Sequence, residues 1–454
     1  MTLIFDKASR AWLVAILVLL VLNVWLFWPG HLYFLNDDLL HIPLTDRGQF
    51  FQTNSVRPVH ELLVKLDLLV YGKQAYGYHI TALLLHVVVC LQLFNLAIVI
   101  QARWLNISNA EGLKAAFIAA VLFLLYPQHA ESLAWISGRG AILSTIFFLV
   151  SVRIFFVSRY TLLACFIGVV SFAASLFSYE QCILFPVVLL WAASLTKDHV
   201  VRRKQIMYVL LLVGTCVAYL IVRKLITHEI VGFYEGGNFL SMNLSNLAGN
   251  FFRFLSRLFI SPSSSASTFI IKAAILLLLA SSILLLWRNE MHLNRKAVKF
   301  FGASIASLII PVLSLGISVH SFESGRYLYM PSVFLTMAMG IAAVSVYNNV
   351  KSSRRVVIAL FVFVAVSWLS GKFTASRNYK EASAYAKHTN EKVVSHFNVS
   401  ADTLHIDTLY LNIHRLPVYR LGFETGIKWL NNTIDTNKIV VDHTIDNMEA
   451  ERRK

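Results

Sequence analysis

"YPQHAESLAWISGRG", Tyr126 to Gly140, packs ionisable and aromatic groups into fifteen residues. It crowds His129, Glu131, Trp135 and Arg139 between two long apolar runs. Membrane segments normally shed such groups, because a charge at the bilayer centre costs about 2.5–3.5 kcal/mol on insertion scales. Pro127 breaks the preceding helix or opens the next one. A helix from about Ala130 would put Glu131, Trp135 and Arg139 at i, i+4 and i+8 on one face. His129 would then lie in the turn before it. The competing reading is a loop whose charges are merely solvated. The rest of the chain decides between them, by the side of the membrane on which its other polar clusters fall.

Of the 454 residues, 57% are hydrophobic and 14% charged, against about 25% charged in soluble domains. Mean hydropathy is +0.65. This is the composition of a polytopic membrane protein. The net charge of +16 does not indicate nucleic acid, because the basic residues come in short runs between apolar spans, as topology signals do. Cys90, Cys165, Cys182 and Cys216 lie in or at apolar segments, with no C-x-x-C pair and no disulfide framework. The first apolar run lacks a small-residue cleavage site and reads as a retained span.

About eleven runs approach the roughly 20 apolar residues that a span needs: 11–28, 78–100, 114–127, 140–158, 161–177, 181–196, 206–223, 268–287, 299–318, 327–347 and 356–371. The turn at Ser158, Arg159 and Tyr160 sets the side of every later span. Lys7 and Arg10 precede the first run. Lys197, Arg202, Arg203 and Lys204 follow the sixth; Arg288, Arg295, Lys296 and Lys299 the eighth; Lys351, Arg354 and Arg355 the tenth. With the N-terminus inside, all four clusters fall on the cytoplasmic side, as the positive-inside rule asks.

The opposite face collects other material. The first loop there carries "FLNDDLLHI" with Asp37 and Asp38, then Pro58 to Tyr71. Leu62, Leu66, Leu69 and Lys73 keep a helical period, so this stretch reads as an amphipathic helix lying on the membrane. The opening stretch is the second loop. "SYEQ", with Tyr179 and Glu180, is the third. In the fourth, Leu244, Leu247, Phe251, Leu255 and Leu258 oppose Asn246, Asn250, Arg253 and Arg257, which predicts a second interfacial helix; the flexible connector "SPSSSAS" follows it. The fifth, "VHSFESGRYLYMPS", holds His320, Glu323, Arg326 and Tyr327. After Lys372 the chain turns polar. "TLHIDTLYLNIHRLPVY" predicts one or two strands, and "ETGIKWLNN" a helix.

Two acidic sites, Asp37/Asp38 and Glu131, thus share a face with Arg57, Arg139 and Arg326. A carboxylate there could act as general base, and Asp37 and Glu131 could hold a divalent metal such as magnesium or manganese. Arginines pair bidentately with phosphate oxygens. The neighbouring Asp37 and Asp38 also repel, which raises one pKa. The plainer alternative is that these acids and arginines serve only as internal ion pairs. His86 and Tyr78 read as packing or interface residues. P-loop, GxGxxG, GxSxG and HExxH motifs are absent, which argues against nucleotide-driven pumping and zinc proteolysis.

"NDD", "RPVHELL...YGKQAYGYHITALLLH", "YPQHAESLAWISGR", "SYEQ" and "ESGRYLYMPS" occur in the order seen in the multi-spanning GT-C glycosyltransferases. Over residues 10–345 the chain most resembles the transmembrane O-mannosyltransferases that act on cadherins, and their bacterial relatives. The resemblance implies an all-α polytopic membrane protein. Residues 1–371 would form a GT-C-like bundle of about eleven transmembrane helices with amphipathic helices in its outer loops, and residues 372–454 a small extracytoplasmic region. It implies an inverting enzyme that uses a polyprenyl-phosphate-linked sugar on the periplasmic or lumenal face, with a protein or glycan acceptor. Asp37 or Asp38 would be the base or the metal-associated group. His129 and Glu131 would belong to the second-loop acidic motif. Arg326, with Tyr327, Arg57 and Arg139, would meet the donor phosphate. The chain departs from the animal members in having no 34-residue repeat after its spans, and in Gly140-Ala141, where relatives often have a small residue followed by an acid. The alternatives are a transporter or flippase of lipid-linked sugars and an inactive scaffold. A transporter should carry its charges near the midplane, in broken helices and repeats; here they gather at one face.

Overall fold

The computed structural model describes residues 7–50, 56–157, 160–228, 243–262, 295–349, 354–400 and 402–448. In chain order the helices are α1 (Lys7–Leu26), α2 (Asp38–Asp46), α3 (Pro58–Tyr71), α4 (Ala75–Arg103), α5 (Asn109–Leu125), α6 (Ala130–Ala134), α7 (Gly140–Val157), α8 (Leu162–Leu176) and α9 (Phe185–Ser194). Then come α10 (His199–Thr227), α11 (Leu244–Phe259), α12 (Arg295–Ile309), α13 (Tyr329–Asn349) and α14 (Arg354–Val399). Ten of the expected spans fall on these elements; the eighth, 268–287, and most of "SPSSSAS" lie outside the described residues.

Five of the described helical segments are long and apolar enough to cross a membrane, or up to seven if each bent pair counts as one span. One bent pair is α8 with α9, which turn through 119° at Tyr179, the tight turn expected of "SYEQ". The centre of the bundle is α5, packed on α13, α4 and α1. Gly340 permits the α5–α13 approach: a Cβ there would lie 2.3 Å from the carbonyl oxygen of Ala115. Small residues at such crossings let membrane helices pack backbone to backbone.

The first interfacial helix, α3, has the predicted bounds and turns its apolar side outward. Leu62, Leu66, Leu69 and Val70 are exposed, whereas His60, Glu61, Val64 and Asp67 are buried. A helix that shows leucine outward and hides its acids suits a lipid surface outside and a polar layer beneath it. The second, α11, exposes Phe251, Phe252 and Leu255, but Leu258 and Arg257 are buried.

The expected boundary at 371/372 falls inside α14. Lys372 is buried there and donates to Asn23 Oδ1 and the Leu124 carbonyl, tying α14 to α1 and α5. Beyond α14 lies a small unit with strands as well as helix, as expected of the C-terminal region, and the chain is mostly helical. Strand β1 (Leu404–Tyr410) pairs in parallel with β4 (Ile439–Ile445), and β2 (Asn412–Ile413) with β3 (Leu416–Pro417) in antiparallel. Helix α15 (Phe423–Leu430) matches the predicted "ETGIKWLNN" helix.

Candidate active site

The helix expected from Ala130 stops at Ala134, and Trp135 is extended (φ −126°, ψ 121°). The cause is Asp38. Its Oδ1 accepts from the Ser137 amide (2.8 Å) and hydroxyl (2.7 Å), and its Oδ2 from the Ile136 amide (3.3 Å) and the Leu35 amide (3.1 Å). Amides captured in this way cannot donate to the carbonyls four residues back, so the helix ends. Glu131 and Trp135 still meet a common partner, Arg326, but Arg139 is carried away to Asp67 instead of sharing their face. Nor is this a solvated loop: His129, Glu131 and Arg139 are all buried.

Glu131 reaches the fifth loop. Its Oε1 accepts from the Ser324 amide (3.0 Å) and from Arg326 Nη1 (2.7 Å), and its Oε2 from the Arg326 amide (2.6 Å). Ser324 takes a left-handed φ of 66° to present these amides. The Arg326 guanidinium lies between two rings, 4.6 Å from the Trp135 centroid and 4.9 Å from that of Tyr327. Tyr327 stacks on Tyr179 (6.4 Å, 16°), and Arg57 covers the Tyr179 ring at 4.5 Å. A ladder of Trp135, Arg326, Tyr327, Tyr179 and Arg57 results, with an arginine near each end.

Other contacts lock the loops into a ring. Arg57 pairs with Glu180 (3.3 Å), and Glu180 also meets Arg223 (3.5 Å). Gln181 Nε2 donates to the Tyr327 carbonyl at 2.6 Å. Thus loop one holds loop two through Asp38, loop two holds five through Glu131, five holds three through Gln181, and three returns to one through Glu180. Arg257 of α11 joins them, donating to the Ser318 and Ser321 carbonyls and to Gln128 Oε1 (2.5 Å).

Of the expected site residues, Arg57, Arg326 and Tyr327 build this ladder and Glu131 binds it, whereas Arg139 and His129 engage other partners. Arg139 is buried, paired with Asp67 of α3, and donates to the Tyr78 carbonyl (3.2 Å). His129 turns into the bundle, where Nε2 meets Ser332 Oγ at 2.8 Å beside Phe123 and Tyr329. Arg139 here is an internal ion pair, and His129 a packed core residue.

The two first-loop acids are inequivalent. Asp38 is fully buried, and its four acceptor positions are filled by donors. Burial, with the neighbouring Asp37 carboxylate, pushes it up to about 7 against the lowering pull of Ser137 and Leu35. Asp37 keeps 20% of its side chain exposed. It accepts from Asn36 Nδ2 (2.7 Å) and faces His41 Nε2 at 3.8 Å. Asn36 is gripped by the C-terminal unit: its amide donates to the Val418 carbonyl (2.7 Å), and its Oδ1 accepts from the Leu421 amide (3.0 Å). Nearby, Glu61 accepts from Thr45 Oγ1 (2.5 Å). Burial raises its pKa, but hydrogen bonds from His60 and Thr45 win and hold it below the usual carboxylate value.

Among the described residues no three His, Cys, Asp or Glu side chains converge as metal ligands. Both Glu131 oxygens already face donors, which suits an anchor and not a metal ligand.

Sequence reasoning missed Asp67, Arg223, Arg257, Gln128 and Gln181. One signal was present: His60, Glu61, Val64 and Asp67 recur at helical spacing, a polar stripe opposite the leucines.

No family model matches the chain. It is 32% identical to a protein O-mannosyl-transferase, Tmtc3 of Drosophila melanogaster, over 107 residues; the match spans 21% of this chain and 11% of that protein. Its structure is similar to that of ArnT from Cupriavidus metallidurans bound to undecaprenyl phosphate, with a TM-score of 0.53 at 10% identity, over 98% of this chain and 91% of that one. Along nearly its whole length this multi-pass membrane protein shares the fold of ArnT.

Proposed function

We propose that the chain is an integral membrane glycosyltransferase. It moves a sugar from a polyprenyl-phosphate donor to a protein or envelope-glycan acceptor on the non-cytoplasmic face, with inversion. The observation that carries this reading is that one interlocked layer of loops holds a partly exposed carboxylate, Asp37, and two partly exposed arginines, Arg57 and Arg326, the latter two anchored by Glu180 and Glu131. The undecaprenyl phosphate of the similar ArnT structure supports a lipid-phosphate donor. The Tmtc3 match supports transfer to a protein hydroxyl.

In this scheme Asp37 takes the proton of the acceptor hydroxyl, whose oxygen attacks the anomeric carbon. The bond from that carbon to the phosphate oxygen breaks on the opposite side, and the polyprenyl phosphate leaves. Arg57 and Arg326 stabilise the charge that grows on it. Asp38 and Glu131 position the loops and do not react. The C-terminal unit sets the mouth of the acceptor side through its grip on Asn36.

Mass spectrometry of envelope glycans and glycoproteins, with and without the gene, tests this reading. The expected result is loss of one sugar-bearing species; identical profiles in the two strains contradict it.

A further inference from the structure

A cavity with basic residues in its lining lies away from the ladder. It has a volume of about 670 Å³ and is lined by the Pro29–Tyr33 segment, by Lys73 to Tyr76, and by Lys380, Ser383, Ala384 and Lys387 of α14. Three lysines and His31 line it, and no lining residue is acidic. Lys73 Nζ donates to the Trp429 and Leu430 carbonyls. Lys380 Nζ reaches the Trp25 carbonyl at 3.5 Å and sits 5.7 Å from the Trp25 ring centroid. Lys387 meets Glu391 at 3.9 Å, a long contact to a residue outside the lining. The cavity wall also holds Ser383, which is 1% exposed and whose hydroxyl has no hydrogen-bond partner. A buried hydroxyl without a partner is costly unless something fills the space it faces.

Large exposed rings stand on the elements that flank the cavity. Trp25 and Trp28 at the end of α1, Tyr76 at the start of α4 and Phe373 on α14 all face outward, and Trp25 and Phe373 meet edge to face at 6.1 Å. Exposed tryptophan and tyrosine at the ends of several spans mark the headgroup level of a bilayer. Lys380 lies about two turns of α14 beyond Phe373, where phosphates sit, and its stem can run along the apolar surface below.

We propose that this cavity binds the phosphate headgroup of an anionic membrane phospholipid. The lysines supply the charge, Ser383 supplies a hydroxyl donor, and the flanking rings border the acyl chains. The site shares no residue with the ladder, and its test reads lipid retention rather than sugar transfer.

The experiment is native mass spectrometry of the full chain, released from micelles containing equal phosphatidylglycerol and phosphatidylcholine. The wild type should retain phosphatidylglycerol in preference. Each lysine near an anionic headgroup contributes about a five-fold gain in binding, so Lys380→Gln with Lys387→Gln should weaken retention by about 30-fold. Lys387 is 54% exposed, so Lys387→Gln alone should fold, with about a five-fold fall. Lys392→Gln, on the same helix outside the cavity, should change nothing. Excess inorganic phosphate separates the two sources of this chemistry: lipid retained in its presence supports the proposal, and displacement assigns the site to free phosphate and overturns it. Equal retention of both lipids by the wild type, or wild-type retention by Lys387→Gln, also overturns it.

Discussion

Glu131 and Arg326 stand 195 residues apart, yet the Glu131 carboxylate takes both the backbone amide of Arg326, at 2.6 Å, and its guanidinium, at 2.7 Å. One acid thus fixes where the fifth loop runs and where its arginine points. Breaking a buried pair by removing one partner typically costs about 3–5 kcal/mol. Glu131→Gln should therefore lower the thermal midpoint of the purified protein strongly. Arg326→Ala should weaken donor binding and transfer together, and Arg326→Lys should restore only part, because an ammonium lacks the planar fork. Binding of a polyprenyl phosphate, measured alongside the midpoint, separates the two effects. Full binding in Arg326→Ala would remove this residue from the donor site.

Asp38 makes stability depend on pH. Its folded value, about 7, lies above the ordinary 3.8. Between the two the native state keeps a proton that the unfolded chain has shed. Stability should fall as pH rises through that window and level off above it, by on the order of 3 kcal/mol between pH 5 and 8. Thermal midpoints across this range check it. Asp38→Asn should flatten the slope, and an identical slope in the variant would assign the effect to other groups.

The C-terminal unit seats on loop one through Gly422. This residue has φ +80°, and a Cβ on it would lie 2.8 Å from the Leu40 amide nitrogen. Gly48 has nearly the same φ, +81°, but nothing within 4 Å of its would-be Cβ. Gly48→Ala should cost only the conformational strain, about 1 kcal/mol. Gly422→Ala should cost more, about 2–3 kcal/mol, and should slow transfer while donor binding survives. Equal midpoints for the two variants would mean that the seat is loose.

Orientation is tested by labelling. Single cysteines at Gly48 and Asp402, in a background without other cysteines, should react with an impermeant maleimide from outside, and one at Lys204 should not. Labelling at Lys204 alone would place every loop of the ring on the other face.

Where hydropathy and period decide structure, the sequence was readable. Pro58–Tyr71 came out with its bounds, and "ETGIKWLNN" came out as a helix, because leucine spacing and turn residues are local signals. The acids and arginines of the loops were legible as a set, since ionisable groups among apolar spans are costly and stand out. What could not be read is who pairs with whom. Arg139 looks equivalent to Arg326 in sequence, yet Asp67 claims it from another helix. The helix expected through Trp135 fails because Asp38, about 100 residues earlier, captures two of its amides. Strand β4 pairs with a strand 35 residues upstream, a non-local contact that no local pattern announces.

Asp37 is the proposed base, and one pair of measurements on Asp37→Asn tests that role. Donor binding and single-turnover transfer are measured separately on purified, folded protein, beside wild type and Asp38→Asn. Asp37→Asn should bind a polyprenyl-phosphate sugar as wild type does but transfer it on the order of 100-fold more slowly, while Asp38→Asn should lose stability before it loses chemistry. Full transfer by Asp37→Asn would rule out this role for Asp37 and pass it to another partly exposed loop carboxylate, such as Glu180 or Glu323, each now ion-paired with arginine.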